Sequence, residues 1–351
     1  MRQKASLKDI AREVGVSIAS VSYVINKKEK EGRVGADVAE KIRKVAAELD
    51  YKPNFIAKSL KSGRTKTIGL IVADISNPFF SNIARIIEDE AKQHGYIVIF
   101  GSSDENTKNL QDLIDVFLNR QVDAFIIAPT SNAEKQIEFL QKMNVPVVLI
   151  DRYFPGIDTD CVHINNFQAA FSAVEHLIKV GRRKIAIVTY DTTLPHMQER
   201  KNGYEKALKA GGISFKKDWI IKADYKNIHN DVSTGISNLL SPAVLIDALF
   251  FTTNSLAVEG LKKINELGIK VPDKLAVISF DQSDAFDFFY SPITYVNQSL
   301  LDIGKEAVKL VIDRINDNQK KQVHTIIASN LVLRDSCGRN FHKASSKSVK
   351  L

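Results

Sequence analysis

The 351-residue sequence has little cysteine, no long apolar run and no apolar segment at its start. Its two cysteines, Cys161 and Cys337, provide neither a disulfide framework nor the spacing of a zinc motif. No stretch approaches the ~18 apolar residues of a membrane span, and the opening MRQKASLKDI lacks the apolar core of a secretory signal peptide. We therefore expect a cytoplasmic protein without metal, cofactor or membrane partner.

Catalytic signatures are also missing. The sequence contains no G-x-S-x-G elbow, no phosphate-binding P-loop and no H-E-x-x-H zinc motif, and its seven histidines are scattered. Carboxylate pairs occur, but none has a context that implies catalysis. We expect a protein that is not an enzyme.

The net charge of +8 is concentrated in the first fifth of the chain. Residues 1–66 hold 16 Lys and Arg against 8 Asp and Glu, whereas the remaining residues hold 33 of each. A basic head on a neutral body favours a polyanionic partner. Charge alone is equally compatible with a solvated helical surface.

Residues 1–50 predict three short helices. Ser6 caps a helix that Gly15 ends, Ser17 caps a second, and the third runs from about Ala36 to Leu49. Two helices joined by a tight turn at Gly15 are typical of a helix-turn-helix unit. The inward positions are Leu7, Ile10, Ala11, Val14, Val21, Val24, Ile25, Val38, Ile42, Val45, Ala46 and Leu49.

The second helix has a neutral outward face that suits the major groove of DNA. Apolar side chains there can touch thymine methyl groups, and a tyrosine can donate a hydrogen bond. The face holds no Arg or Gln for a bidentate base contact, so direct readout is modest, and an ordinary surface helix is the alternative. The outward residues are Ile18, Ala19, Ser20, Ser22 and Tyr23.

The stretch PNFIAKSLKSG, residues 53–63, raises a separate question. Pro53 and Gly63 bracket about nine residues of helical pattern, which is too short for independent stability. Leu60 stands within this basic segment. A helix that folds only on a partner explains the pattern, and a flexible linker with one incidental leucine is the alternative.

Strand-like apolar runs alternate with amphipathic helices from residue 67 to about 336. The runs are rich in Ile, Val, Leu and Phe, as strands buried on both faces are. This alternation predicts an α/β fold with parallel sheets, and the number of runs favours two sheets. The runs are TIGLIVAD, GYIVIFGSS, VDAFIIAP, VPVVLIDR, KIAIVTY, DALFFTTN, KLAVISFD and ITYVNQ.

Polar and aromatic residues follow the predicted strands, where doubly wound sheets bind ligands. Aromatic rings can stack on a sugar, and planar polar groups can bind adjacent hydroxyls. Helix caps, a surface ion pair or core packing would explain single positions. The candidate effector contacts are Asn77, Phe79, Phe80, Asp151, Arg152, His196, Arg200, Tyr225, Asn254, Asp281 and Gln298.

The motifs LKDIAREVGVSIASVSYVIN, AELDYKPNFIAKSL and KTIGLIV resemble the lactose/purine-repressor (LacI) family of bacterial transcription regulators. The resemblance extends to about residue 336. It implies a homodimer on a pseudo-palindromic operator, with hinge helices that wedge Leu60 into the minor groove, and two effector-binding lobes like those of periplasmic sugar-binding proteins. The DNA contacts it implies are Ser6, Ser17, Ile18, Ala19, Ser20, Ser22, Tyr23, Asn26, Asn54, Ala57, Lys58, Leu60 and Lys61.

The sequence departs from the family near the third helix. Gly35, Val38 and Ala39 stand where the family has Ser and then Thr-Arg, so the phosphate contact and helix cap of that serine are not predicted. The strand-end residues are similar to the sugar contacts of pentose-binding proteins, which places a sugar first and a purine second as effector. A cytoplasmic sugar-binding protein without a role on DNA remains a further alternative.

The resemblance also implies the domain organisation. Members of the family usually repress transcription. Tetrameric members have leucine heptads in their tails, which this sequence lacks, so a dimer is expected. The expected parts are a DNA-binding domain (1–50), a hinge helix and linker (51–66), an N-lobe (67–164 and 294–325), a C-lobe (165–293 and 326–338) and a disordered tail (339–351).

Overall fold

The computed structural model of the chain describes residues 5–52, 63–241, 246–317 and 321–338. The chain divides into two compact units, Met1–Thr65 and Lys66–Leu351. Among the described residues, no helix is both long and apolar enough to span a bilayer. The following predictions lie outside the described residues: the hinge helix with Asn54, Ala57, Lys58, Leu60 and Lys61, and the tail from residue 339.

The first unit contains the three predicted helices. Ser6 and Asp9 form a reciprocal cap, in which the backbone amide of each donates to the side chain of the other. Gly15 then ends the first helix with a left-handed φ of 75°. The helices are α1 (Leu7–Val14), α2 (Ile18–Ile25) and α3 (Ala36–Glu48).

The core of the first unit largely follows the predicted apolar stripe. Ile10, Val21 and Ile42 are fully buried where the three helices meet. The prediction for Leu49 was wrong, because this residue follows the last turn of α3 and its side chain is 39% exposed. Gly35 caps α3 without a side-chain bond.

The second unit contains two six-stranded sheets. The first holds β1 (Thr67–Val72), β2 (Ile97–Ser102), β3 (Ala124–Ile127), β4 (Val147–Ile150), β5 (Asp160–Ile164) and β11 (His324–Ile327). The second holds β6 (Ile185–Tyr190), β7 (Ile220–Ala223), β8 (Ala248–Phe251), β9 (Ala276–Phe280), β10 (Thr294–Gln298) and β12 (Ser329–Val332).

The strand orders are those of two doubly wound sheets, β11-β5-β4-β3-β1-β2 and β12-β10-β9-β8-β6-β7. Neighbouring strands run parallel, except that β10 and β12 are antiparallel. The predicted α/β class with two parallel-sheet lobes is confirmed.

Helices cover the faces of both sheets. They are α4 (Pro78–Gln93), α5 (Thr107–Asn119), α6 (Glu134–Lys142), α7 (Asn166–Lys179), α8 (Pro195–Ala210), α9 (Ile228–Leu239), α10 (Asn254–Glu266), the short α11 (Ala285–Phe288) and α12 (Leu300–Asn316), with a 3-10 turn at Lys217–Trp219.

The chain crosses between the two sheets three times. It leaves the first sheet after β5, returns after β10 through α12, and leaves again from β11 to β12. The predicted boundary at residue 294 differs from this path, because β10 pairs with β9 in the second sheet. The return crossing therefore follows Gln298, and β11 extends to Ile327, past the predicted boundary at 325.

A glycine lets α8 pack closely on α7. A Cβ atom at Gly203 would lie 2.3 Å from the carbonyl oxygen of Phe167 and 2.9 Å from the amide nitrogen of Phe171. These are backbone atoms of α7, which a side-chain rotation cannot move away. The contact fixes α8, whose first turns carry His196 and Arg200.

We predict that Gly203→Ala lowers the free energy of unfolding by about 1–3 kcal/mol, because the added methyl group forces the two helix backbones apart. Chemical denaturation followed by circular dichroism measures the loss. Gly156→Ala is the matched control, since nothing lies within 4 Å of a Cβ atom at Gly156. Equal stabilities of the two variants would show that α7 and α8 separate at no cost.

Candidate functional site

Helix α2 exposes part of the face predicted to meet DNA. The side chains of Ile18 and Tyr23 are 49% and 39% exposed, and Ala19 beside them is exposed as well. Ser20 and Ser22 are half-buried. The three exposed side chains give α2 a short, neutral outward surface.

Local hydrogen bonds use most of the remaining polar groups on this face. The Ser17 hydroxyl caps α2 by accepting from the Ser20 amide at 3.0 Å, and the Asn26 side chain donates to the Ser22 carbonyl at 2.7 Å. The Tyr23 ring lies against Gly32, where a Cβ atom would be only 2.3 Å from it. Sequence reasoning missed this contact, because it joins α2 to a loop.

A cavity of about 230 Å³ lies in the second unit, where the carboxyl ends of strands from both sheets meet. Nine of the eleven predicted effector residues line it: Asn77, Phe79, Phe80, Asp151, Arg152, His196, Arg200, Tyr225 and Asp281.

Two aspartates occupy equivalent places in the two sheets. Asp151 follows β4, Asp281 follows β9, and each has a left-handed φ of 63°. Each backbone amide donates to the next strand, to Val162 at 2.9 Å and to Val296 at 3.0 Å. This conformation is uncommon outside glycine and often marks a functional position. Both carboxyl groups are buried in the cavity wall.

Arg152 is held in place by a carboxylate that sequence reasoning missed. Its guanidinium donates to both oxygens of Glu105, at 2.8 and 2.6 Å, and to the carbonyl of Pro129 at 3.1 Å. Its buried Nε atom has no hydrogen-bond partner and lies 3.6 Å from an oxygen of Asp151. The pair Arg152–Glu105 therefore leaves one N–H directed at Asp151 and available to a further acceptor.

Arg200 is buried and fixed from three sides. Its Nε donates to Asn166 at 2.8 Å, and its terminal nitrogen donates to the carbonyl of Thr252 at 2.7 Å. The guanidinium carbon lies 3.8 Å from the ring centroid of Phe280. Since α8 supplies Arg200 and α7 supplies Asn166, the close packing at Gly203 also positions this charge.

The carboxyl group of Asp281 can change its ionisation close to neutral pH. Burial raises the pKa of its carboxyl to about 6, while Arg200 and a hydrogen bond from Gln298 oppose that rise. The Gln298 amide donates to Asp281 at 2.6 Å. Burial also raises the pKa of Asp151, opposed by the charges of Arg200 and Arg152.

Two predicted contacts, Asn254 and Gln298, lie behind the cavity wall. The Asn254 side chain donates to Asn77 at 3.2 Å and to the carbonyl of Gln282 at 3.3 Å. Because Asn77 caps α4 on the first sheet and Asn254 begins α10 on the second, this bond joins the two lobes. Both residues hold side chains that line the cavity, Asn254 through Asn77 and Gln298 through Asp281. A position at the end of a strand does not distinguish such a supporting residue from one that contacts the ligand.

Some buried polar atoms at the cavity have no hydrogen-bond partner among the described residues. They include Nδ1 of His196 and the hydroxyl of Tyr225. Burial, with the charges of Arg152 and Arg200, holds the pKa of His196 well below its usual range, so the imidazole is neutral. The Tyr225 ring stacks on Tyr190 at 4.0 Å. Buried polar groups left unpaired are costly, so these atoms favour a ligand that supplies hydrogen bonds.

Sequence reasoning also missed several lining residues, because it read only some of the strand ends. Asp104 and Glu105 follow β2, and Tyr190 ends β6. The same strand-end rule would have found them. Asp74 and Thr253 lie two residues after β1 and β8 and carry the same signal. Met197, Lys226, Ile228 and Ser255 lie on helices or in a loop and carry no such signal.

Two family models match the chain. Residues 6–54 match the bacterial regulatory proteins of the lacI family. Residues 174–337 match the periplasmic binding protein-like domain.

Curated relatives match nearly the whole length. The ribose operon repressor of Haemophilus influenzae is 29% identical over 332 residues, which cover 95% of this chain and 98% of the relative. The HTH-type transcriptional repressor PurR of Haemophilus influenzae is 27% identical over 336 residues, with the same coverage.

Among solved structures, the Lac repressor dimer bound to operator and an anti-inducer matches with a TM-score of 0.84 and 21% identity, covering 95% of this chain and 99% of that one. At this identity the match supports the fold alone. The two family models identify a lacI-family head and a periplasmic-binding-protein-like effector domain, and the curated relatives of matching length are transcriptional repressors.

Proposed function

We propose that this regulator represses transcription as a homodimer on a pseudo-palindromic operator, and that a neutral sugar bound in the cavity switches its operator affinity. The observation that carries the effector proposal is the cavity wall itself. It presents buried carboxylates, buried guanidinium groups and unpartnered donors and acceptors around a small space.

The charges of the wall favour a neutral ligand over an anion. Three cationic side chains line the cavity, those of Arg152, Arg200 and Lys226, against five carboxyl groups, those of Asp74, Asp104, Glu105, Asp151 and Asp281. The neutral imidazole of His196 adds no positive charge. A phosphate or carboxylate ligand would meet more negative than positive groups, whereas sugar hydroxyls can donate to the carboxylates and accept from the guanidinium groups.

The size and the aromatic walls favour a ligand of one ring. The 230 Å³ volume is below the roughly 300–1,000 Å³ of sites for drug-sized ligands. Phe79 and Phe80, on α4 of the first lobe, and Tyr225, which follows β7 of the second lobe, all line the cavity. Rings of this kind stack on the apolar face of a sugar.

A purine is the second candidate effector. The similarity to PurR favours it, as does the stacked pair Tyr190 and Tyr225, which offers a flat aromatic wall. The paired buried carboxylates argue for the sugar, because they suit a ligand with several hydroxyl donors.

Fluorescence anisotropy on DNA from the gene's own upstream region, with a panel of aldoses, polyols and purines, tests the proposal. We expect saturable binding that one sugar changes by about 5- to 150-fold. A response to a purine alone would replace the sugar by the second candidate. Sugar binding without DNA binding, even at low salt, would instead indicate a sugar-binding protein without a regulatory role.

Ala19→Glu should weaken operator binding about tenfold or more, because it places a carboxylate on the exposed face of α2 that we assign to the major groove. Helix formation tolerates the change, since Ala and Glu are both good helix formers. The control is Ala47→Glu, the same substitution at an exposed position of α3. Equal losses in anisotropy titrations would show that net charge, and not the face of α2, governs binding.

The affinity for the sugar should fall as the pH drops below about 6, by up to about tenfold per pH unit. Hydroxyl donors favour the ionised form of Asp281, whose pKa is raised to about 6. Below that pH the carboxyl group is protonated and must lose its proton before the sugar binds. Isothermal titration calorimetry from about pH 5 to about pH 7.5 measures the slope.

Asp281→Asn keeps the shape of the side chain and removes its titration, so the profile of this variant should be flatter. Asp191→Asn, an exposed carboxyl outside the cavity lining, should keep the profile of the unmodified protein. A slope that survives in Asp281→Asn would remove Asp281 from the ligand contacts.

A further inference from the structure

Three side chains with metal-binding atoms meet on the first sheet, apart from the effector cavity lining. Cys161 and His163 lie two residues apart on β5, so they share one face of the strand. His324 begins β11 and is the register partner of Cys161 in the parallel pair. The pairing of β5 with β11 thus brings together residues that are far apart in the sequence.

The spacing of the three groups suits one small ion. The sulfur atom and one ring nitrogen of each histidine all lie within 4.8 Å of one another. Around Zn²⁺, bonds of about 2.3 Å to sulfur and about 2.0–2.1 Å to nitrogen place neighbouring ligand atoms roughly 3.3–3.6 Å apart. The side chain of His324 is exposed, so its rotation can shorten separations of up to 4.8 Å to those that Zn²⁺ requires.

One of the histidines makes a hydrogen bond of the kind that metal-binding histidines make. Nδ1 of His163 lies 2.9 Å from the carbonyl oxygen of Ile164. Donation to that carbonyl fixes the tautomer and leaves Nε2 with a free lone pair. Metal-binding histidines commonly make such a bond with the second ring nitrogen. The Tyr153 ring stacks on His163 with centroids 4.6 Å apart, which further restricts the imidazole.

We propose that Cys161, His163 and His324 bind a thiophilic divalent transition-metal ion, with Zn²⁺ as the first candidate. Thiolate and imidazole are ligands that Zn²⁺ prefers, and hard ions such as Mg²⁺ and Ca²⁺ do not. The metal replaces the proton of the Cys161 thiol, which leaves to solvent. Water supplies the fourth ligand on the side of the exposed His324.

The position of the cluster gives the ion a structural consequence. The chain passes into the second sheet directly after β5 and again directly after β11. Tyr153, which stacks on His163, donates its hydroxyl to Glu199 of α8 at 2.5 Å. A bound ion would therefore join β5 to β11, the two strands after which the chain passes to the second sheet. The ring of Tyr153 would connect the site to α8, the helix that carries Arg200.

Titration of the full-length reduced protein with Co²⁺ tests the site, because a thiolate ligand gives Co²⁺ a sulfur-to-metal charge-transfer absorption. We expect one Co²⁺ per chain with this band, displaced by Zn²⁺. Cys161→Ser should abolish the band. His324→Ala, at an exposed position that tolerates substitution, should lower the affinity at least about tenfold.

Cys337→Ser is the control variant, since Cys337 is the second thiol and its sulfur lies 3.3 Å from a ring nitrogen of His176. The band should persist in it. No charge-transfer band with Co²⁺, or a band lost in Cys337→Ser and kept in Cys161→Ser, would overturn the proposal. If circular dichroism shows that Cys161→Ser does not fold, an unchanged affinity in His324→Ala overturns it equally.

Discussion

The cavity of the effector domain requires that charged side chains be buried with partners at the place where the two sheets meet. An unpaired charge inside a protein is costly, and a buried ion pair is tolerated only when further hydrogen bonds satisfy its atoms. Arg152 meets this condition through Glu105 and Pro129 at all but its Nε, which has no hydrogen-bond partner among the described residues. Arg200 meets it through Asn166, Thr252 and the ring of Phe280. The lobes must therefore hold these partners in place before any ligand arrives.

Residues behind the cavity wall matter for the same reason, because they hold the charged lining groups in position. Gln298 holds the carboxyl of Asp281, and Asn254 ties the cap of α4 to the start of α10. Gly203 allows α8 to approach α7, which sets the place of Arg200. The bond between Asn254 and Asn77 joins the two lobes, so a change in how the lobes meet would alter the cavity wall directly. That coupling is what an effector-controlled regulator requires.

Local sequence patterns were sufficient for the helices of the head. Helix α1 begins after Ser6 and ends at Gly15 as predicted, because caps and left-handed glycines act within a few residues. The error at Leu49 arose at a helix end, where an apolar residue no longer faces the core once the chain turns. The contact between Tyr23 and Gly32 had no local signal, since a loop closes over the helix.

The sequence by itself determined the α/β class with two parallel-sheet lobes and nine of the cavity-lining residues. It does so because buried parallel strands have a distinctive composition and place their following residues at one edge. Only the tertiary structure decided that Glu105 pairs with Arg152, that Asn254 and Gln298 stand behind the wall, and that β10 belongs to the second sheet. It also decided that Cys161 meets His324, because strand pairing depends on the packing of the whole sheet and not on distance along the chain.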